Sequence, residues 1–128
     1  MLLKESWLQI SDNTNICWIK IFHLYKGFNR KKTTTSLFVK GSARIVEPPR
    51  LEYKGFKYKY AVKGDITRSW IVRSTYQNIN KDNSFINFSN NSSIIISKKQ
   101  NVKSKFVNGP LSTTVRVKKL QSIFSAII

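Results

Sequence analysis

The chain has 128 residues, enough for one domain with a modest core, and 41% of them are hydrophobic. Its 23 lysine and arginine residues outnumber 6 aspartate and glutamate residues, which gives a formal net charge of +17. One cysteine excludes an intramolecular disulfide and a cysteine-rich zinc site, and no apolar run approaches the ~20 residues of a membrane-spanning helix. Such a charge repels itself in a compact fold, so the chain either binds a polyanion or carries a solvated basic surface. We favour nucleic acid as the polyanion, because the cations are spread along the whole chain.

The first part of the chain predicts strands that are separated by polar turns. These strands span residues 3–10, 16–25 and 36–47. The turn cluster SDNTN, residues 11–15, follows the first strand, because Asp and Asn side chains hydrogen-bond their own backbone. The basic loop KGFNRKK, residues 26–32, follows the second. We expect a bulge at Gly41, and the third strand ends at Pro48 and Pro49 because neither can donate to a ladder.

Residues 51–62, LEYKGFKYKYAV, alternate lysine with aromatic residues, which predicts a β-arm with two unlike faces. The arm packs against the body as an ordinary hairpin, or it binds nucleic acid. In the second case the aromatic rings are exposed and Lys54, Lys57 and Lys59 reach phosphates. One face can pack while the other binds, so the two interpretations are compatible.

The stretch KGDITRSWIVR, residues 63–73, predicts a core strand that carries two unpaired cations. Arg68 and Arg73 lie among apolar residues, and no acid in the strand pairs with either. In a regular strand they point to opposite faces, so both are solvated only if the strand bulges or lies at an edge. We therefore expect their partner to lie outside this chain.

The C-terminal part predicts short strands and a helix. A turn at residues 81–84 precedes a strand at 85–89, and another strand spans 93–97. A basic loop at 98–105 is followed by Gly109 and Pro110. The apolar residues after this loop fall near helical spacing, with Ser112 or Thr113 as the cap, so a helix is expected to cover the barrel. These apolar residues are Leu111, Val115, Leu120, Ile123, Phe124 and Ile127.

The pattern of short strands at turn-rich intervals predicts a mainly β fold, a small β-barrel or sandwich. We expect a single domain over residues 1–128, with the barrel in about 1–100 and the C-terminal loop and helix in about 101–128.

Sequence motifs of the common enzyme classes are missing: the chain has no GxGxxG, P-loop, HExxH or nucleophile elbow. Asp12, Asp65 and Asp82 lie in turn signals, where local hydrogen bonding explains them. His23 has no second metal ligand near it in the sequence. We therefore expect no enzyme, no metal and no other cofactor; a nuclease would require acids that converge on a metal.

Four segments together resemble the universal large-ribosomal-subunit protein fourteen family over nearly the whole chain. The first segment, SDNTN followed by CWIKI, contains Asp12, Asn13 and Lys20 and resembles its Asp-Asn turn and following strand. The segment KGDITRSWIVRST resembles its Lys-Gly-Asp turn and Val-Arg-Thr strand end. The segments KDNSFINFSNNSSIII and KSKFVNGPLSTTVR resemble its later turn, apolar runs and helix start. Asn15 and Asn83 replace glycines of the family, and Asn is the next-best residue at positive φ.

The resemblance implies a five-stranded β-barrel with C-terminal helical segments that binds large-subunit rRNA. It further implies contacts to large-subunit proteins three and nineteen, inter-subunit bridges to small-subunit rRNA, and docking of the ribosome silencing factor. The rRNA contacts are expected at Asn13, Lys20, Arg30, Lys31, Lys32, Lys54, Lys57, Lys59, Arg68 and Arg73. At least one of Arg68 and Arg73 is expected to meet a phosphate, and Arg73 is the better candidate because it matches the Val-Arg-Thr strand end of the family. The bridge contacts are expected at Lys103, Ser104, Lys105 and Lys119.

The sequence is rich in Asn, Lys, Ile and Phe, as AT-rich genomes favour, and bacterial members of the family begin almost where this chain begins. We therefore expect no import presequence and a protein made inside a mitochondrion, in the large subunit of the mitochondrial ribosome. A bacterial or plastid ribosome is the alternative compartment. The rival function is a free single-stranded RNA-binding barrel, in which the aromatic residues of 51–62 stack on bases.

Overall fold

The computed structural model describes residues 1–48, 60–97, 101–104, 106–115 and 121–128. These residues form nine strands: β1 Leu2–Leu3, β2 Trp7–Ile10, β3 Ile16–Leu24, β4 Lys32–Thr33, β5 Phe38–Val46, β6 Ile66–Arg73, β7 Asn78–Ile79, β8 Phe85–Ile86 and β9 Ser92–Ile96. In the same ranges, no helix is long and apolar enough to cross a membrane.

Five strands close a barrel in the order β2-β3-β5-β6-β9. Neighbouring strands are antiparallel except where the barrel closes, since β2 and β9 run parallel with Gln9 opposite Ser92. Closure leaves none of these strands with a free edge. The predicted mainly β fold with a five-stranded barrel is confirmed.

The interior of the barrel is filled by branched aliphatic side chains from all five strands. β6 contributes Ile71, which is 0% exposed, and β9 contributes Ile95, which is 1% exposed. Burying each such side chain stabilises the fold by roughly 1.5–3 kcal/mol. The interior cluster consists of Leu2, Leu8, Ile10, Ile16, Ile19, Ile21, Leu24, Val39, Ala43, Ile71 and Ile95.

A second apolar cluster lies outside the barrel wall, on the outer faces of β6 and β9. The C-terminal segment covers part of these faces, so β9 and the residues of β6 from Ser69 onward are buried on both faces. This double burial explains the unbroken isoleucine run of β9, which lacks the alternation of a half-exposed strand. The outer cluster consists of Trp70, Val72, Ile94, Ile96, Leu111, Val115 and Phe124.

In its described residues, 106–115 and 121–128, the C-terminal cover is built mainly from extended and turn structure. Leu111 forms a parallel bridge with Ile127, and its N–H donates to the carbonyl of Ala126 at 2.9 Å. A continuous helix from Leu111 to Ile127 would separate its two ends by about 24 Å and is therefore excluded. Gln121 is the one helical residue among those described after Leu111. Predicted residue Leu120 lies outside the described residues.

Local turns also differ from the predicted pattern. The first predicted strand is divided into β1 and β2, because Glu5 adopts a φ of 68° in a turn. The bulge expected at Gly41 is found on the partner strand, where Phe22 is the extra residue between the pairs Ile21–Gly41 and His23–Lys40. Gly41 allows the strands to approach, since a Cβ there would come within 3.0 Å of the Lys20 carbonyl oxygen.

The two asparagines that replace glycines of the resembled family adopt different backbone conformations in their turns. Asn83 adopts a φ of 64°, as expected for a residue that replaces glycine. Asn15 is not among the residues with positive φ. Its side-chain amide instead donates to the carbonyl of Ala61 at 2.8 Å and accepts from the Ala61 N–H at 3.2 Å. Asn15 thus ties the turn before β3 to the segment that leads into β6.

Candidate nucleic-acid interface

A cationic and aromatic cluster lies on the outer wall of the barrel where β3, β5 and β6 are neighbours. Strand register places His23 opposite Lys40, and Lys40 opposite Arg68. Tyr25 lies among them: its ring centroid is 5.4 Å from the Arg68 guanidinium carbon and 5.9 Å from the Lys40 Nζ. Arg68 Nε also donates to the Tyr25 hydroxyl at 3.2 Å. We call these four residues the Tyr25 cluster.

The Tyr25 cluster concentrates positive charge. Like charges directly opposite each other on a sheet destabilise it, yet Lys40 and Arg68 form such a pair. Within the described residues neither of them has an ion pair, and the one salt bridge there joins Lys20 to Glu5. Cation–π contact with Tyr25 relieves part of the repulsion. A phosphate group placed on this face would relieve more, because it brings the missing negative charge.

Arg73 is arranged quite differently from Arg68. It is 6% exposed, and its guanidinium donates to the carbonyls of Asn108 at 2.8 Å and Pro110 at 3.0 Å, and to the Ser92 hydroxyl at 3.0 Å. Burial lowers the pKa of Arg73. The prediction that its partner lies outside the chain is therefore wrong. Its own chain already supplies three acceptors, so a direct phosphate contact is not what satisfies this guanidinium.

A bulge in β6 explains why Arg73 faces the C-terminal segment. Ile71 pairs with Ser93, but Arg73 pairs with the adjacent Ser92, so Val72 is an extra residue. Val72 packs in the outer cluster, and Arg73 bonds to the loop that leads into it. The strand thus contains the bulge that would let both Arg68 and Arg73 be solvated. The bulge instead places Arg73 beneath the C-terminal segment, where it is buried.

The basic loop between β3 and β4 was predicted to present Arg30, Lys31 and Lys32 to phosphates. Lys31 and Lys32 are exposed. Arg30 is half-buried, and its guanidinium donates to the carbonyls of Lys32 at 2.9 Å and Lys26 at 3.3 Å. Arg30 therefore stabilises the loop through contacts to its backbone. The exposed charges on the loop are those of its lysines.

Lys20 lies on the outer face of β3, where its Nζ is 2.8 Å from a carboxylate oxygen of Glu5. The hydrogen bond and the charge of Lys20 lower the pKa of Glu5. Both side chains are partly exposed, so this pair contributes little to stability. Lys20 thus has a partner within the chain, and whether it also approaches rRNA stays a prediction.

The structure brings Asn13, from the predicted rRNA set, next to Ser104, from the predicted bridge set. The Asn13 N–H donates to the Ser104 hydroxyl and to the carbonyl of Phe106, each at 3.2 Å. Exposed Lys103 lies in the same loop. The two predicted sites therefore share one end of the barrel.

Asp12 anchors this end of the barrel. It is 8% exposed, and its carboxylate accepts hydrogen bonds from the Thr14 N–H and hydroxyl and from the Ile95 N–H. Burial raises the pKa of Asp12, although these hydrogen bonds and the charge of Lys103 act in the opposite direction. The carboxylate is committed to joining the first turn to β9, so it is a structural group.

Five of the predicted site residues, Lys54, Lys57, Lys59, Lys105 and Lys119, lie outside the described residues.

The acids of the described residues have structural contacts. Asp65 accepts from the Val62 N–H, and Asp82 accepts from the Ser84 N–H and hydroxyl. No group of three or more His, Cys, Asp or Glu side chains that could hold a metal ion occurs in the described parts of the chain. Half-buried Cys17 has a pKa raised by burial, which disfavours its reactive thiolate.

Sequence reasoning identified Arg68 but missed its neighbours in the Tyr25 cluster. Lys40 and His23 are separated from Arg68 by long stretches of chain, and only the register of β3, β5 and β6 places them side by side. The alternation within β5 assigns Lys40 to the outer face, which is the one local signal that could have found it.

The chain was compared with models of known protein families. The model described as Ribosomal protein L14p/L23e matches residues 1–127. The match covers the barrel and the C-terminal segment, and it confirms the family resemblance carried by the four sequence segments.

Proposed function

From the fact that this chain belongs to the ribosomal protein L14p/L23e family, a family of structural proteins of the large ribosomal subunit, we propose that it binds large-subunit rRNA and contributes to inter-subunit bridges. The family match supports the ribosomal location, and the charge distribution supports the mode of binding. Contacts of this kind position the protein on the phosphate backbone and do not read base sequence.

The observation that carries the proposal is the Lys40–Arg68 pair. Two cations lie directly opposite each other on neighbouring strands, in a chain with a formal net charge of +17. A protein that functions alone gains nothing from such a pair, because repulsion destabilises it. Inside an RNA-rich particle, phosphates replace the missing acids and release counterions on binding. Exposed Lys31 and Lys32 extend this basic surface.

We assign the bridging role to the loop that holds Lys103 and Ser104, which lies beside Asn13 of the proposed rRNA contacts. The Asn13 N–H donates to the Ser104 hydroxyl, so the proposed rRNA and bridge residues are in contact at this end of the barrel. Lys105 and Lys119 belong to the same proposal by family resemblance. Lysine lacks the planar fork of arginine, so Lys105 would contribute a single charged contact rather than a bidentate one.

The proposed protein partners are those of the family: large-subunit proteins three and nineteen, and the ribosome silencing factor. We further propose the mitochondrial ribosome as the compartment, with a bacterial or plastid ribosome as the competitor. The support for this choice is the richness of the sequence in Asn, Lys, Ile and Phe.

Salt washing of purified ribosomes tests the proposed function. The chain should stay with large subunits at a salt concentration that removes loosely bound RNA-binding proteins. A free single-stranded RNA-binding barrel, the rival function, should instead be recovered in the wash. Recovery of the full-length chain only in the soluble fraction, in cells with intact large subunits, would overturn the proposal.

A further inference from the structure

Phe28 lies at the tip of the loop between β3 and β4, and its side chain is 96% exposed. It is the most exposed large hydrophobic residue of the described chain. The next most exposed large hydrophobic residues, Ile66 and Phe106, are each 71% exposed, so Phe28 is the extreme case. An aromatic ring in this position is expected to bury its surface against a partner.

The loop that carries Phe28 contains side-chain-to-backbone hydrogen bonds and residues with positive φ. Arg30 reaches across it and donates to the carbonyls of Lys26 and Lys32. The residues on either side of Phe28 adopt left-handed conformations, with φ of 136° at Gly27 and 54° at Asn29. These contacts favour one loop conformation before a partner binds. The loop therefore loses less conformational entropy when Phe28 contacts that partner.

The charge around Phe28 indicates the chemistry of its partner. The segment KGFNRKK, residues 26–32, contains Lys26, Arg30, Lys31 and Lys32 and no acid. A purely apolar pocket on another protein would not require these cations. An aromatic ring flanked by cations is the arrangement that single-stranded nucleic acid recognises, because bases stack on the ring while phosphates meet the charges.

We propose that Phe28 stacks on an unpaired base of large-subunit rRNA and that Lys31 and Lys32 hold the adjacent phosphates. This inference rests on the proposed function, since it assumes that the chain is seated on rRNA. It goes further in assigning to this loop a base contact in addition to backbone contacts.

Rebinding to large subunits that have been depleted of this protein separates stacking from charge. Phe28→Ala should weaken rebinding by about 5- to 150-fold, and it should leave the slope of log affinity against log salt unchanged, because no phosphate contact is lost. Phe28→Leu is the matched control: it keeps apolar bulk without a π-face, so its loss should approach that of alanine. Phe28→Trp keeps an aromatic face and should therefore retain wild-type affinity.

Photocrosslinking identifies the class of macromolecule in contact. A benzophenone derivative of phenylalanine at position 28, in the full chain within assembled large subunits, should crosslink to one rRNA position. Crosslinks to protein alone, together with near-normal rebinding of Phe28→Leu, would show that Phe28 binds an apolar protein pocket and not a base. That result would overturn the proposal.

Two failures can be told apart. If the wild-type chain rebinds and Phe28→Ala rebinds equally well, stacking is refuted while the proposed function stands. If the wild-type chain does not rebind depleted subunits at all, the proposed function fails, and the stacking proposal falls with it.

Discussion

The guanidinium of Arg73 occupies the space in which any side chain at position 109 would have to lie. An ideal Cβ built on Gly109 would come within 2.9 Å of the Arg73 Cζ, and Gly109 also has a φ of 86°. The arginine that binds the carbonyls of Asn108 and Pro110 therefore requires glycine between them. This contact, together with the bulge at Val72, fixes the C-terminal segment on the outside of the barrel.

The first prediction is that Gly109→Ala destabilises the fold by about 1–3 kcal/mol, from positive φ strain and from overlap with Arg73. Arg73→Ala removes the overlap, but it also removes three hydrogen bonds made by a charged group. As a single substitution it should therefore destabilise the fold by no more than about 1.5–3 kcal/mol for each hydrogen bond lost. Urea unfolding of both single variants and the double variant measures the coupling. Strict additivity would contradict the steric relationship, because alanine at 109 should cost less once Arg73 is absent.

The second prediction concerns the Tyr25 cluster. Lys40→Gln and Arg68→Gln should each reduce the slope of log affinity against log salt by about one unit, since each removes one phosphate contact. Arg73→Gln should leave the slope unchanged, because its guanidinium is satisfied inside the chain. Rebinding to depleted large subunits at several salt concentrations measures all three slopes. An unchanged slope in Lys40→Gln and Arg68→Gln would remove this face from the rRNA contact surface.

The third prediction follows from the buried carboxylate of Asp12. Its folded pKa is raised above its unfolded value, so the native state binds a proton more readily than the unfolded chain does. Its contribution to stability is therefore largest below the unfolded pKa and decreases as pH rises through the folded pKa. The free energy of unfolding of the wild type relative to Asp12→Asn should decrease as pH rises above about 4. A difference that is flat or increases across this window would contradict the assignment.

The same variant also has a cost that does not depend on this titration. Asparagine offers one accepting oxygen where Asp12 offers two, and both Thr14 and Ile95 present N–H donors. Near neutral pH, Asp12→Asn should therefore destabilise the fold by about 1–3 kcal/mol. Chemical denaturation at fixed pH measures this cost.

The fourth prediction tests the C-terminal cover. Leu111 is 0% exposed in the outer cluster, so Leu111→Ala should destabilise the fold by about 2–5 kcal/mol. Ile127 is its bridge partner but is 44% exposed, and Ile127→Ala is the control, with an expected cost of less than about 1 kcal/mol. Equal costs for the two substitutions would show that the main-chain bridge, rather than side-chain packing, holds the segment in place.

Four of the predicted strands are confirmed as barrel strands. Residues 16–25, 36–47, 63–73 and 93–97 correspond to β3, β5, β6 and β9, with ends that shift by a few residues. The two-residue strands β4 and β7 were missed, because alternation over two residues carries no signal. The C-terminal helix with Ser112 or Thr113 as its cap was predicted from apolar spacing. In the described residues the chain instead folds back, so that Leu111 bridges Ile127 and the segment covers β6 and β9.

The candidate site was predicted only in part. Arg68 and the lysines of the basic loop were singled out because unpaired cations are visible in the sequence, and their contacts to rRNA stay a prediction. Arg73 was assigned the wrong environment, since its acceptors at Asn108 and Pro110 lie 35 and 37 residues away along the chain. Contacts at that separation depend on how the barrel closes, and local pattern does not contain them.

The amino-acid sequence alone determined the mainly β class, the positions of the polar turns and the excess of positive charge. These properties depend on alternation, on turn-forming residues and on composition, all of which act over a few neighbouring residues. Only the tertiary structure decided which cations are exposed: register placed Lys40 beside Arg68, and a bulge turned Arg73 beneath the C-terminal segment. The physical reason is that burial and pairing of a charge are set by strands brought together at barrel closure, so the same residue type serves as a surface charge at one position and as an internal clamp at another.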